Sequence, residues 1–116
     1  MQLHISPRNL RLTAAIHLYA AEKISAVENL GDIIATHLVL VHDEFAKPTE
    51  RFRVKAHLAV PGPDIHSDVA NADLYAALDK TSSTLARLLR KRKTALLDKR
   101  RQTKQKFSER KRSQGE

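Results

Sequence analysis

The 116-residue sequence has no cysteine and no tryptophan. Without thiols it has no disulfide and no thiolate metal site, a composition that fits a reducing compartment. Glycine occurs only at positions 31, 62 and 115, which removes the Gly-rich phosphate loops of P-loop and dinucleotide-binding folds. Aromatics are as scarce. Tyr19, Tyr75, Phe45, Phe52 and Phe107 form no interleaved set, which argues against a platform for stacking single-stranded bases. No apolar run approaches the roughly 18 residues that a membrane span needs, and the opening MQLHISPR lacks the apolar segment of a secretory signal. The expectation is a cytoplasmic chain with no membrane partner, of a length that suits one domain with one modest core.

Catalytic signatures are missing as well. The six histidines, His4, His17, His37, His42, His57 and His66, are scattered without an HExxH pair, and most fall on strand positions that alternate with the core. Ser82 and Ser83 sit inside a helical pattern with no motif that places a base beside them. No enzyme, metal site or cofactor is expected.

Positive charge is abundant and unevenly placed. Residues 87–112 hold thirteen Lys and Arg against two acids, Asp98 and Glu109, whereas residues 1–86 hold eight bases and ten acids. A near-neutral domain therefore carries a cationic rod and tail, the electrostatic footprint of a polyanion binder. A solvated terminus kept for solubility is the blander reading, but so much uncompensated charge costs stability. Each cation that meets a phosphate releases condensed counterions, so six to ten such contacts bind tightly with little sequence reading. Seven of the thirteen bases are arginines, which add bidentate geometry for phosphate. The cationic helix has few Asn or Gln to read base edges and nothing resembles a helix-turn-helix, so folded RNA is favoured over DNA.

The pattern along the chain gives the order β-α-β-β-β-α. Leu3 and Ile5 alternate with His4 and Ser6 as a short strand that Pro7 stops. Thr13 is placed to cap a helix with Ile16, Ala20, Ile24, Val27 and Leu30 on one face, and Gly31 to end it in the left-handed conformation. Residues 33–41 read as a second, central strand and 43–50 as a loop. Phe52, Val54, Ala56 and Leu58 alternate with Arg51, Arg53, Lys55 and His57 in the clearest half-buried strand. After Pro61-Gly62-Pro63, Ile65, Ser67 and Val69 form a fourth, with Asp64, His66 and Asp68 facing the other way. Asn71 is placed to cap a second helix over about 72–99, with Leu74, Ala77, Leu78, Thr81, Leu85, Leu88 and Leu89 inward and Arg87, Arg90, Lys91, Lys93 and Arg101 exposed. The expected fold is a two-layer α+β domain, a four-stranded sheet with both helices on one face, over residues 1–101. Residues 102–116 are expected to form a basic, disordered tail.

The sequence also resembles a known family, from residue 3 to about 97. The resemblance is carried by LHISPRNLRLT (3–13), EKISAVENLGDIIATHLVL (22–40), the strand segment beginning RFRVKAHLAV (51–60), ADLYAALD (72–79), close to the family's DMYAAID, and LRKRK (89–93), matching its LRKHK. These identify the chain as similar to the short ribosome hibernation factors, also called ribosome-associated inhibitors or sigma-54 modulation proteins. The resemblance implies a fold similar to double-stranded RNA-binding domains and a steric mechanism. The protein would bind the 16S rRNA of the small (30S) subunit and the 70S ribosome between head and body, near ribosomal proteins of the decoding region, and cover the mRNA and tRNA sites under stress or in stationary phase. Off the ribosome it would be a monomer. The family's basic positions on the second helix fall on Lys80, Arg87, Arg90, Lys91, Arg92 and Lys93. Arg51, Arg53 and Lys55 are added as RNA-binding candidates from their alternation alone. Tyr75 is expected to pack helix on sheet.

Two departures qualify the carry-over. Asn29-Leu30-Gly31-Asp32 lacks the lysine or aromatic common where relatives leave this helix. The sequence stops at Glu116, without the second domain by which long relatives pair ribosomes, so pairing by that route is not expected. The resemblance leaves two roles open, supporting ribosome pairing with a helper protein or opposing it by sending the tail into the mRNA channel, and the length and charge of 102–116 lean slightly toward the second. The alternative from another class is a protein-interaction module acting on a transcription factor such as sigma-54, which should tolerate neutralisation of the second helix where a phosphate partner should not.

Overall fold

A computed structural model describes the backbone of residues 2–114 and the side chains of residues 2–95. The elements run β1 (Gln2–Arg8), α1 (Ala14–Glu28), β2 (Ala35–His42), a 3-10 turn (Pro48–Glu50), β3 (Phe52–Ala59), β4 (Ile65–Asn71) and α2 (Leu74–Gln114). The strands form one sheet in the order β1-β2-β3-β4, with β1 parallel to β2 and the other neighbours antiparallel. Helix α1 is the crossover that a parallel β1–β2 pair requires. Both helices cover the same face, α2 lying over β3 and β4 and against α1. The expected two-layer α+β architecture is the one observed.

Alternation decides which face is covered. Toward the helices point Thr36, Leu38 and Leu40 of β2, Val54, Ala56 and Leu58 of β3 and Ile65 and Val69 of β4, and they meet Ala20, Ile24 and Val27 of α1 and Leu74, Ala77, Leu78, Thr81, Leu85 and Leu89 of α2. Burying each large aliphatic side chain contributes about 1.5–3 kcal/mol, so this single core holds the layers together. Thr81 places a hydroxyl in the core without penalty because Oγ1 donates to the Ala77 carbonyl at 2.8 Å.

The element ends correct several expectations. Pro7 lies inside β1 because β1 is an edge strand, where a residue without an N–H is tolerated. Thr13 caps α1 as expected, its hydroxyl accepting from the Ile16 N–H at 3.2 Å. Gly31 does not end α1. The helix stops at Glu28 with Asn29 as right-handed cap, and Gly31 serves by lacking a side chain, since a Cβ there would lie 3.3 Å from Leu89 Cδ2. Asn71 is the last residue of β4 and accepts from the Asp73 N–H, while Asp73 starts α2: its carboxylate accepts from the Tyr75 N–H and its carbonyl from the Ala77 N–H. A carboxylate there also favours the positive end of the helix dipole.

The helical backbone of α2 passes the expected end near residue 99 and the expected domain boundary at 101. Its Lys, Arg and Gln residues are good helix formers, and no glycine or proline intervenes between Pro63 and Gly115. The side chains of the expected tail, 102–116, lie outside the described residues.

Candidate nucleic-acid interface

Helix α2 sets the positions of the six basic residues expected on it. Lys80, Arg87 and Lys91, spaced by seven and four, share one side of the helix over about 16 Å at 1.5 Å per residue. That side is turned away from Asp79 and Ser82, through which α2 is tied to α1. Arg90 points directly away from the buried stripe. Lys80, Arg87, Arg90, Lys91 and Lys93 are all exposed, and among the described residues none is ion-paired. Lys93 sits on the α1 side, where it lines a hollow with Glu28, Asp32 and Arg92.

Arg92 behaves differently from its neighbours. It follows Leu85 by seven and Leu89 by three, so it continues the inward stripe. Its guanidinium donates to the carbonyls of Pro61 and Pro63 in the β3–β4 turn. Gly62 makes room for it: φ is +87°, and a Cβ would stand 2.5 Å from Arg92 Nη2. The arginine expected to meet RNA thus fastens α2 to a turn. Its spacing from Leu85 and Leu89 is the sequence signal that distinguishes it.

The strand candidates lie on the other side of the molecule. Arg53 and Lys55 point to the open face of the sheet, opposite the helices, while exposed Arg51 precedes β3 and passes its carbonyl to the Asp43 N–H. Arg53 is partly compensated, Nη1 lying 2.9 and 3.0 Å from the two Asp68 oxygens across the β3–β4 ladder. Lys55 is exposed between Val39 and Asp68. The nine candidates therefore do not converge on one surface. Six lie on α2, two on the open sheet face, and Arg51 at its rim.

A fixed scaffold underlies the helix layer. Asp79 accepts from the Tyr19 hydroxyl at 2.5 Å and pairs with Lys23 at 2.9 Å, and Ser82 Oγ donates to the Lys23 carbonyl at 3.0 Å. The Tyr19 bond, then Lys23, holds the Asp79 carboxyl below the usual carboxylate range, and the same contacts raise Tyr19 and Lys23. Tyr75 stands edge-on to Tyr19 with centroids 4.9 Å apart, a helix–helix contact in place of the expected helix–sheet one.

Sequence reasoning treated the histidines singly, whereas the register assembles four of them. His4 is opposite His37, His37 opposite His57 and His57 opposite His66, so one row crosses the whole open face. His4 and His37 stack at 4.7 Å between centroids, and His57 and His66 at 4.4 Å. Only the pairing register reveals this row, because the residues are up to 62 positions apart. Among the described residues no His, Cys, Asp or Glu group has the geometry to hold a metal.

A four-stranded β-α-β-β-β-α sandwich with helices on one side and basic side chains on both describes the class: a small two-layer α+β domain with cationic side chains on both of its faces. The family described as "Sigma 54 modulation protein / S30EA ribosomal protein" matches residues 3–97, and the chain belongs to it. Among its relatives are the ribosome hibernation promotion factor of Deinococcus radiodurans, 36% identical over 102 residues (86% of this chain, 53% of that protein), and the ribosome hibernation promoting factor of Escherichia coli K12, 33% identical over 96 residues (83% and 97%). The chain thus spans about half of the first relative and nearly all of the second. The fold is shared with the N-terminal domain of Thermus thermophilus Protein Y, with TM-score 0.67, 24% identity and coverage of 78% of this chain and 98% of that one. A ribosomal subunit interface protein from Coxiella burnetii matches with TM-score 0.70, 18% identity and coverage of 81% and 99%. The family is one of non-catalytic factors. No described helix is long and apolar enough to cross a membrane.

Proposed function

We propose that the chain is a ribosome-associated translation inhibitor that binds 16S rRNA in the small subunit and sterically blocks the mRNA and tRNA sites. Kinship with hibernation factors supports the ribosome as partner. The observation that carries the mode of binding is the distribution of cations on opposite faces of a thin sandwich, Lys80, Arg87, Arg90 and Lys91 on one side and Arg53 and Lys55 on the other. A flat polyanion could engage only one of these faces. A cleft walled by RNA on both sides, such as one between two lobes of a ribonucleoprotein particle, engages both, and a rigid domain filling it excludes template and tRNA without chemistry. Contacts with ribosomal proteins of the decoding region and a monomeric state off the ribosome complete the reading, which places its action in the cytoplasm.

The test is the variant Arg87→Ala/Arg90→Ala/Lys91→Ala/Lys93→Ala, all at exposed positions that leave the core untouched. It is expected to melt like the wild type while losing co-sedimentation with 30S particles and inhibition of cell-free translation. Phosphate contacts make affinity fall steeply with salt, so the variant's log–log salt slope should be shallower by up to about 3–4, close to one per lost contact. Unchanged co-sedimentation would remove α2 from the interface and favour a protein partner such as a transcription factor.

A further inference from the structure

The open face of the sheet carries four histidines beside three fixed cations and two acids. In the register its rows read Gln2, Ala35, Ala59; His4, His37, His57, His66; Ser6, Val39, Lys55, Asp68; and Arg8, Val41, Arg53, Ala70. Fixed cations are Arg8, Arg53 and Lys55, and the acids facing the same side are Asp68, paired to Arg53, and Asp64, whose Oδ2 lies 2.7 Å from His57 Nε2. With neutral imidazoles the face has a net charge of +1. With four imidazolium groups it reaches +5. Among the described residues no other element packs over it, His4, His37 and His66 are exposed, and a shallow depression of about 520 Å³ lies among His37, Val39, Lys55, His57, His66 and Asp68.

We infer that this open face is a second RNA-contact surface, in which the histidine row meets the phosphate backbone in its protonated form and so makes binding stronger as pH falls. The inference rests on the proposed RNA partner and adds where, and under what condition, the sheet engages it. Within each stacked pair the ring centroids lie 4.7 Å apart or less. A phosphate along the row compensates both rings. Because a polyanion favours the protonated pair, RNA binding and proton uptake reinforce each other, and imidazole is the side chain that titrates between pH 5 and 8. The strip of rings points to backbone contact, since rings stacked on one another offer their edges to a ligand rather than their faces.

The test uses the full chain, with purified 30S subunits and a 20-base-pair RNA duplex as probes at one fixed magnesium concentration, and measures affinity against salt at pH 6 and pH 8. The wild type is expected to bind more tightly at pH 6, with a salt slope steeper by roughly 2, one extra phosphate contact for each histidine pair. His4→Gln/His37→Gln/His57→Gln/His66→Gln should bind as the wild type does at pH 8 and lose the increment at pH 6. The double variant His57→Gln/His66→Gln, which keeps one pair, should lose about half of it and serves if the quadruple variant melts early. The α2 variant should bind weakly at both pH values yet keep the increment. A wild-type increment that survives in the histidine variants overturns the inference and leaves the RNA reading standing, as does a wild type that binds equally at both pH values. A wild type that binds neither probe overturns both.

Discussion

Arg92 and Ser67 show how far a residue's neighbours can override its type. Arg92 belongs by composition to the basic segment, yet its guanidinium is held by two carbonyls of the Pro61-Gly62-Pro63 turn. Arg92→Ala is therefore expected to lower stability by roughly 1–2 kcal/mol, the low end for hydrogen bonds to a charged group because both bonds are solvent-exposed, while reducing 30S affinity less than Arg87→Ala does. Paired denaturant and sedimentation measurements on the two variants check this. Ser67 lies on the helix-covered face opposite Ala56, and its hydroxyl is buried without a hydrogen-bond partner. Ser67→Ala removes an unsatisfied group and is expected to stabilise the fold by about 1 kcal/mol, read as a higher urea midpoint at unchanged m-value.

At the scale of elements, the strands and α1 were legible because alternation and threefold or fourfold apolar spacing are local signals. Val54, Ala56 and Leu58 announce their face within seven residues, and all three are buried. What was not legible depends on pairing between distant elements: the histidine row needs the register of four strands, and Gly31 needs Leu89. Helix ends failed for a similar reason, since Asn71 and Asp73 are both capable caps and β4 claims the first. The contact between α1 and α2 carries a pH prediction. Asp79 titrates lower in the folded chain than in the unfolded one, so its contribution is present above about pH 4 and is lost as pH falls through the folded value. Tyr19 and Lys23 titrate higher when folded, so theirs is present below about pH 10 and is lost as pH rises further. Asp79→Asn is expected to melt earlier than wild type at pH 7, with the difference closing toward pH 3. A constant difference across thermal melts from pH 3 to 7 would show that the carboxylate charge is not what joins the helices.

For the whole molecule, cation placement matters more than cation count. Near-neutral residues 1–86 build the sandwich, and the surplus charge is carried by α2, whose inward stripe of Leu85 and Leu89 docks it on the sheet and whose outer surface presents Lys80, Arg87, Arg90 and Lys91. Composition alone leads to the expectation of a polyanion partner. It did not foretell that Arg53 and Lys55 would face the opposite way, because strand alternation gives two faces without saying which one the helices cover. The two-sided arrangement is what a cleft-filling inhibitor needs, and it predicts that both faces contribute to one binding event. The most direct measurement is sedimentation of the purified protein with 30S and 70S ribosomes through sucrose gradients at low and moderate salt, with the protein quantified in every fraction. The account predicts that it travels with both particles at low salt and leaves them as salt rises. A protein that remains at the top of the gradient even at low salt would contradict it.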